Sequence, residues 1–445
     1  MSVEQGSVLV VGGGIAGIQA SIDLSDMGFK VYMVEKKPSI GGRMAQLDKT
    51  FPTLDCASCI LTPKMADVAR KPNVELLTNA EVIDVVPTGD VFKVTIKKYP
   101  TYVDWTKCVG CGICVEKCPA RVKPGAPDEF NEGMGTRGAI YIYFPQSVPR
   151  KALIDPTACM YLTKKICRAC EKLCPTKAIN WDEKEEIIEL NTNAIIVATG
   201  YKFVNPKHPA LSLYGYGVYK NVYTNLEFER LLDSRGPTGG VLLRRSDKKH
   251  PRRIVFIQCV GSRDVRINPY CSAYCCMGSI KQAVLAKEHE PEVDVTILYI
   301  DIRAFGKGFQ EFYERAKTEF NIRFVRGKPS KIIEVPDTKN LIVVYEDTVR
   351  RTVERMEADM IVLALGIIPN PPPFLEKLGL VEPSGKVRVK NPSDPIETPI
   401  EGIYVAGMLA GPKDIPDSIA QASAAAMKAA EYIKRKVKVP AVVVR

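Results

Sequence analysis

The chain has 445 residues, 46% hydrophobic and 25% charged, with 62 Lys and Arg against 51 Asp and Glu, 14 Cys and only 3 His. That length and balance fit two or three ordinary globular domains and exclude a disordered, collagenous or coiled-coil protein. No apolar run reaches the roughly 18 residues of a spanning helix, and the opening MSVEQGS has an acid and no basic region, so neither a membrane span nor a signal peptide is expected and the protein reads as soluble and cytoplasmic.

The first predicted element is the buried strand Val8–Val11, which runs into Gly12, Gly14 and Gly17. A helical stretch and a second apolar run ending at Glu35 follow. This is the strand, GxGxxG, helix, strand, acid order of a dinucleotide fold. The glycines permit a tight turn and let backbone N–H groups approach a pyrophosphate at the helix N-terminus, while Glu35 can accept from ribose hydroxyls. Gly41, Gly42 and Arg43 come soon after.

Cys56 and Cys59 stand next, in FPTLDCASCILTPKM. Three readings are open: a redox dithiol, ligands to a cluster shared with a partner, or a structural pair, with Ile60, Leu61 and Met65 as surrounding core.

Residues 104–181 carry the densest chemistry. Cys108, Cys111, Cys114 and Cys118-Pro119 form C-x2-C-x2-C-x3-C-P, the spacing of a bacterial ferredoxin, in which the fourth Cys crosses to the other cluster. Cys159, Cys167, Cys170 and Cys174-Pro175 form a second run with a longer first gap. The crossing rule assigns Cys108, Cys111, Cys114 and Cys174 to one [4Fe–4S] cluster, and Cys159, Cys167, Cys170 and Cys118 to the other. A pair of zinc knuckles needs only two CxxC pairs and does not call for the two Cys-Pro endings. The spacer 119–158 is rich in Pro and Gly, with room to fold back on the dinucleotide domain; Tyr141, Ile142, Tyr143 and Phe144 in it read as either an interface or an inner strand.

Beyond the insert, a buried strand ends in Ala198-Thr199-Gly200. In the middle region a strand Arg253–Gln258 and a second, Val295–Ile300, suggest another dinucleotide-type domain, but no glycine fingerprint follows the first. In its place stand Cys259, Cys271, Cys275 and Cys276. They read as inert thiols or, preferably, as a third [4Fe–4S] cluster replacing a nicotinamide site. Near the end, GIYVAG finishes at Gly407 and GPKDIPDSIAQASAAA opens a helix after Pro416, with Asp417 or Ser418 as N-cap and a basic end at Lys436.

The glycine doublet in Gly41-Gly42-Arg43, the Ala-Thr-Gly strand and the final glycine strand resemble the flavoproteins with two dinucleotide folds. The resemblance implies FAD held by Gly12, Gly14, Gly17, Glu35, Gly42, Arg43, Val82, Ala198, Thr199, Gly200, Gly407, Ser418, Ile419 and Ala420. It departs at Met408, where many members have Asp. The formal charge of +11 finds no basic run suited to nucleic acid. Three clusters and one flavin, at about −2 each, would lower it to about +3.

The strings TLDCASCILTPKM, DEFNEGMGTRGAIYIYFPQSVP, CVGSRD…YCSAYCCM and GPKDIPDSIAQASAAA resemble the A-type iron–sulfur flavoprotein of heterodisulfide reductase, in a short form without the extra terminal domains of many members. The resemblance implies an FAD and [4Fe–4S] oxidoreductase component that converts two-electron into one-electron transfer, with flavin-based bifurcation in the family. Implied partners are B- and C-like subunits, an electron donor such as a hydrogenase or another dehydrogenase subunit, and ferredoxin, in a hetero-oligomer that can be dimeric around this chain. A flavoprotein component of a quinone-interacting oxidoreductase, membrane-associated only through partners, and a stand-alone flavin disulfide reductase using Cys56 and Cys59 are the alternatives.

The expected fold is α/β: two nested dinucleotide-binding, thioredoxin-reductase-like domains with a ferredoxin insert. The flavin domain takes residues 1–103, 182–250 and 367–445, the insert 104–181, and the middle domain 251–366.

Overall fold

A computed structural model describes residues 6–122 and 125–436. Glu4, the acid used against a signal peptide, lies outside the described residues, as do Lys123 and Pro124 of the spacer. The chain forms two compact units: Met1–Ala45, Cys59–Tyr201 and Pro369–Arg445 make the first, and Gln46–Ser58 with Lys202–Ile368 the second.

The first unit is built on a parallel sheet in the order Ile403–Val405, Ala194–Val197, Ser7–Val11, Lys30–Glu35, Val74–Thr78. Side chains alternate along a strand, so both faces of an inner strand need cover. Val8 and Val10 pack with residues of the helices Ile15–Asp26 and Ile415–Lys436, such as Ala20, Leu24, Ala426 and Ile433. Leu9 and Val11 pack with Val85, Val94 and Ile96 of an antiparallel three-stranded sheet. Cover on both faces is why the first strand reads as an unbroken apolar run. The antiparallel sheet (Glu186–Thr192, Val91–Lys98, Ala80–Thr88) buries one face only, and its other face carries ion pairs such as Lys93–Glu189 at 2.9 Å, with Lys97 reaching Glu185 just before the first of these strands at 2.8 Å.

The ferredoxin-type insert belongs to the same unit and has its own small core, in which Val103, Ile140, Ile154 and Ala178 pack around Cys108 and Cys159. Strand Ile140–Ile142 pairs with Ala152–Ile154. Tyr141 and Phe144 are buried, so this stretch is an inner strand and its edge, and of the two readings the inner one holds.

The second unit carries seven strands in the order Val222–Thr224, Met360–Leu365, Arg253–Val260, Asp294–Tyr299, Arg323–Glu334, Leu341–Asp347, Thr352–Ala358. Residues 202–250 differ from the sequence boundary: Val222–Thr224 pairs parallel with Ile361–Leu363, which draws the segment out of the flavin domain and into this sheet. Thr224 then caps helix Asn225–Leu232 with a capping box to Glu227.

Gln46–Ser58 also joins this unit. Glu229 accepts the backbone N–H of Asp48 at 2.9 Å, Lys281 donates to the Lys49 carbonyl at 2.9 Å, and Phe51 meets Phe309 edge-on at 5.4 Å. Lys281 and Glu229 form an ion pair with side chains 3% and 1% exposed, and Arg230 with Asp233 forms another at 0% and 1%.

The last helix departs from its predicted start. It begins at Ile415, before Pro416, and its cap is Asp414, whose Oδ1 accepts the N–H of Asp417 at 2.8 Å. Proline is tolerated in a first turn because its missing N–H would have had no helical partner. Ser418 is no cap: its hydroxyl donates to the Asp414 carbonyl at 2.7 Å.

Candidate cofactor sites

The dinucleotide cradle forms where the first strand meets its helix. Gly12 has φ +109°, and a Cβ there would lie 2.5 Å from the Ala198 carbonyl oxygen, so the Ala-Thr-Gly strand end sits directly against the glycine turn. Gly14 is the residue before helix Ile15–Asp26, and a Cβ there would meet nothing within 4 Å. Open space beside the N-terminus of a helix with unspent N–H groups suits a pyrophosphate. Glu35 accepts the N–H of Gly13 at 2.6 Å and of Lys37 at 2.8 Å, which holds the turn against the second strand. Burial pushes its carboxyl pKa up against those donors, and each oxygen keeps a further acceptor site for ribose hydroxyls.

The remaining predicted contacts gather unevenly. Gly41 N–H bonds the Gly13 carbonyl at 2.7 Å, and Gly42 lies against Gly14. Thr199 donates to the Asn370 carbonyl at 2.7 Å. Gly407, φ +68°, approaches Ala16 of the first helix. Gly17 packs on Gly12 within the turn. Val82 points into the hydrophobic core. Ser418 is buried in the first turn of the last helix, Ile419 is half-buried and Ala420 exposed. The glycine turn, Glu35 and the Gly41–Gly42 loop fit a dinucleotide such as FAD; Val82, turned into the core, does not join them.

In the insert, Cys108, Cys111, Cys114 and Cys174 line one small cavity with Val103, Gly110 and Pro175. Burial and the neighbouring thiols Cys108, Cys111 and Cys174 push the Cys114 pKa up to about 11. At the other end, burial and Cys159, with Cys114 and Cys118, push Cys170 up to about 12. Cys174 is moved the other way: burial is outweighed by the N–H groups of Ala178, at 3.2 Å, and Thr176. Grouped thiols that resist ionising together are stabilised as thiolates by a cationic core, so the donor set fits clusters. Among the described residues, no three His, Cys, Asp or Glu side chains close in as the ligand set of a single metal ion. Cys111 and Cys167 are exposed, which leaves one corner of each set at the surface.

In the second unit the strand Arg253–Val260 is followed by residues 261–274 and only then by helix Cys275–His289. A dinucleotide turn would need only a few residues there. Cys259, Cys275 and Cys276 are buried, with Cys275 in side-chain contact with both others, and Cys271 is half-buried. The Cys275 thiol, helped by Arg263 and opposed by burial, moves the Cys259 pKa down to about 7. The Cys276 thiol reaches the Asp301 carbonyl at 3.8 Å, and Arg263, which feels Cys259 and Cys271, pairs with Asp301. Gln258, the residue before Cys259, is buried with neither amide atom partnered, so this strand end holds unmet hydrogen-bonding capacity.

Cys56 and Cys59 are disulfide-bonded, and the other twelve cysteines are free. The pair lies at the start of helix Ala57–Arg70. Leu61 and Met65 are core residues, as read from the sequence, whereas Ile60 is 38% exposed and is not.

Three family models match: pyridine nucleotide-disulphide oxidoreductase over residues 277–429, FAD dependent oxidoreductase over 7–53, and a 4Fe-4S binding domain over 101–122. Thioredoxin reductases from Lactococcus lactis (16% identity, TM-score 0.54, covering 97% of this chain and 99% of that one) and T. acidophilum (15%, 0.53, 95% and 97%) share the fold. The A-type iron-sulfur subunit of CoB--CoM heterodisulfide reductase from Methanocaldococcus jannaschii is 51% identical over 94% of this chain. The A-type subunit of the H(2):CoB-CoM heterodisulfide,ferredoxin reductase of Methanothermobacter marburgensis is 49% identical over 95%.

Over this matched stretch the chain is similar to heterodisulfide reductase A-type subunits. It spans 63% of the length of each of these two relatives. The four strings that resembled the family lie within this matched stretch. Sequence reasoning missed several residues at the sites: Asp414, Arg263 with Asp301, and Glu132 with Val148 of the insert. Asp414 had a signal, an Asp three residues before a backbone N–H in need of a cap. The others meet partners far away in the chain, Glu132 at Arg43 and Val148 at Ile40, and no local pattern announces such pairs.

Proposed function

We propose that this chain is a heterodisulfide reductase A-type oxidoreductase component that exchanges electrons in pairs at FAD and singly through [4Fe–4S] clusters, within a heterodisulfide-reductase-type complex. The observation that carries the reading is the presence, in one compact unit, of a dinucleotide cradle open at Gly14 and a cavity lined by Cys108, Cys111, Cys114 and Cys174. FAD supplies both two-electron and one-electron chemistry when bound, and clusters only the latter. The chain's own work is to hold them: the turn at Gly12–Gly17 and Glu35 for the dinucleotide, the eight insert cysteines for two clusters.

A third cluster at Cys259, Cys271, Cys275 and Cys276 belongs to the same proposal. It is supported by the contact of three of these thiols and by the long loop where a nicotinamide turn would be. Names of the relatives support the rest. One is a H(2):CoB-CoM heterodisulfide,ferredoxin reductase and another a H(2)/formate:CoB-CoM heterodisulfide,ferredoxin reductase. We carry over from them B- and C-like subunits, a hydrogenase or dehydrogenase donor, ferredoxin as a partner, flavin-based bifurcation, and action in the cytoplasm. No described helix is long and apolar enough to cross a membrane.

The test is iron and acid-labile sulfide per flavin on protein purified without oxygen. About twelve iron per FAD supports three clusters, about eight confines them to the insert, and protein with no flavin sinks the reading. A second reading, thiol–disulfide exchange at Cys56 and Cys59, is favoured by the oxidised state of the pair at a helix start. It predicts that the chain reduces a small disulfide and that Cys56→Ser abolishes this; an inactive wild type would dispose of it.

A further inference from the structure

The string DEFNEGMGTRGAIYIYFPQSVP holds no cluster ligand, yet it returns to the dinucleotide site. The Val148 carbonyl accepts the N–H of Ile40 at 3.1 Å and the Ser39 hydroxyl at 3.1 Å, and the Val148 N–H donates back to that hydroxyl at 2.8 Å. Ile40 in turn covers Gly13, and Gly41 bonds the Gly13 carbonyl at 2.7 Å. Spacer, doublet loop and glycine turn are therefore stacked in that order. Glu132 pairs with Arg43 at 3.0 Å. Tyr143 is packed edge-on to Phe130 at 5.5 Å, and its hydroxyl has no hydrogen-bond partner among the described residues. That hydroxyl feels both Glu35 and Arg43, the acid and base at the ribose end of the cradle.

We propose that residues 128–148 of the insert form the adenosine-side wall of the FAD site, with Tyr143 and the Glu132–Arg43 pair as its cofactor-facing groups. The wall is rigid for physical reasons. Phe130 and Phe144 stack at 4.7 Å, and Arg137 ties the segment to Glu129 and to Asp155, with its guanidinium 3.6 Å above the Tyr141 ring. At its far end Arg150 donates to the Gly110 carbonyl at 2.8 Å, inside the loop of the first cysteine run. An insertion built for clusters thus also retains the flavin.

The inference rests on the FAD reading, and the test separates the two. Flavin release is followed from full-length wild type, Glu132→Ala and Tyr143→Ala, together with hydrogen exchange of peptides over 128–148 in flavin-free protein given FAD, ADP or FMN. Wild type should retain FAD, and each variant should release it roughly tenfold faster, the worth of one good contact. FAD and ADP should both protect the segment and FMN should not, because only the first two carry adenosine. Wild type without flavin overturns the FAD reading and the wall with it. Wild-type release rates in both variants, or protection by FMN and not by ADP, overturn the wall and leave FAD binding standing.

Discussion

The carboxylate of Glu35 accepts the backbone N–H of Gly13 at 2.6 Å, across 22 residues of chain. The acid predicted to meet a ribose therefore also braces the turn that receives the pyrophosphate. Removing it exposes two defects at once, since the N–H of Lys37 loses its acceptor too. Glu35→Ala should lower the stability of flavin-free protein by about 1–3 kcal/mol, the cost of leaving such donors unmet. It should also lower the flavin content. Chemical denaturation and absorbance on the same preparation measure both, and normal stability with normal flavin would contradict this role.

Cys174 lies in sequence with the second cysteine run but lines the cavity of the first. Cys174→Ala should therefore destroy the cluster of Cys108, Cys111 and Cys114 while the other persists. Iron should fall by about four per flavin. Electron paramagnetic resonance of the reduced protein should lose the coupling between paired clusters and keep the signal of one.

The Cys275 thiol is buried, and the neighbouring thiols of Cys259 and Cys276 push its pKa up. With a cluster there, Cys275→Ala removes about four iron per flavin and leaves the insert clusters intact. An unchanged iron count in this variant, with wild type near eight, would return these cysteines to a thiol role.

Lys281 and Glu229 pair almost wholly out of solvent, and Glu229 also accepts from Gln282 at 2.7 Å. Lys281→Met should cost about 3–5 kcal/mol, mainly because a carboxylate is left buried and uncompensated. Adding Glu229→Gln should recover part of that loss. Equal destabilisation in the single and double variants would show that the pair is not the cause.

Lys413 donates to the carbonyls of Gly407 at 2.9 Å and Gly411 at 2.8 Å, and burial lowers its pKa from 10.5 to about 8. Between those two values the unfolded chain binds the extra proton and the folded chain does not. Stability must therefore rise with pH across that window. Lys413→Met should flatten the rise, which thermal midpoints of both proteins at pH 8 and pH 10 will show.

Much of the chemistry was legible because it is local. A glycine turn between a strand and a helix needs GxGxxG in consecutive positions, and a ferredoxin-type loop needs cysteines with two residues between them, so these candidate sites could be read from spacing. The parallel strands were legible for a similar reason: a strand covered on both faces, like Val8–Val11, cannot alternate with polar residues. What spacing could not show depends on the path of the chain through space. The transfer of residues 202–250 to the second unit follows from the pairing of Val222–Thr224 with Ile361–Leu363. The cap at Asp414 follows from where the helix axis starts, one residue before a proline that sequence rules read as the beginning. The wall over the flavin cradle follows from Glu132 reaching Arg43 across 89 residues. The first and the last of these are long-range contacts, set by which surfaces meet when apolar faces are buried, and no local propensity encodes them; the cap is local, and only the helix start decides which of the nearby polar residues serves.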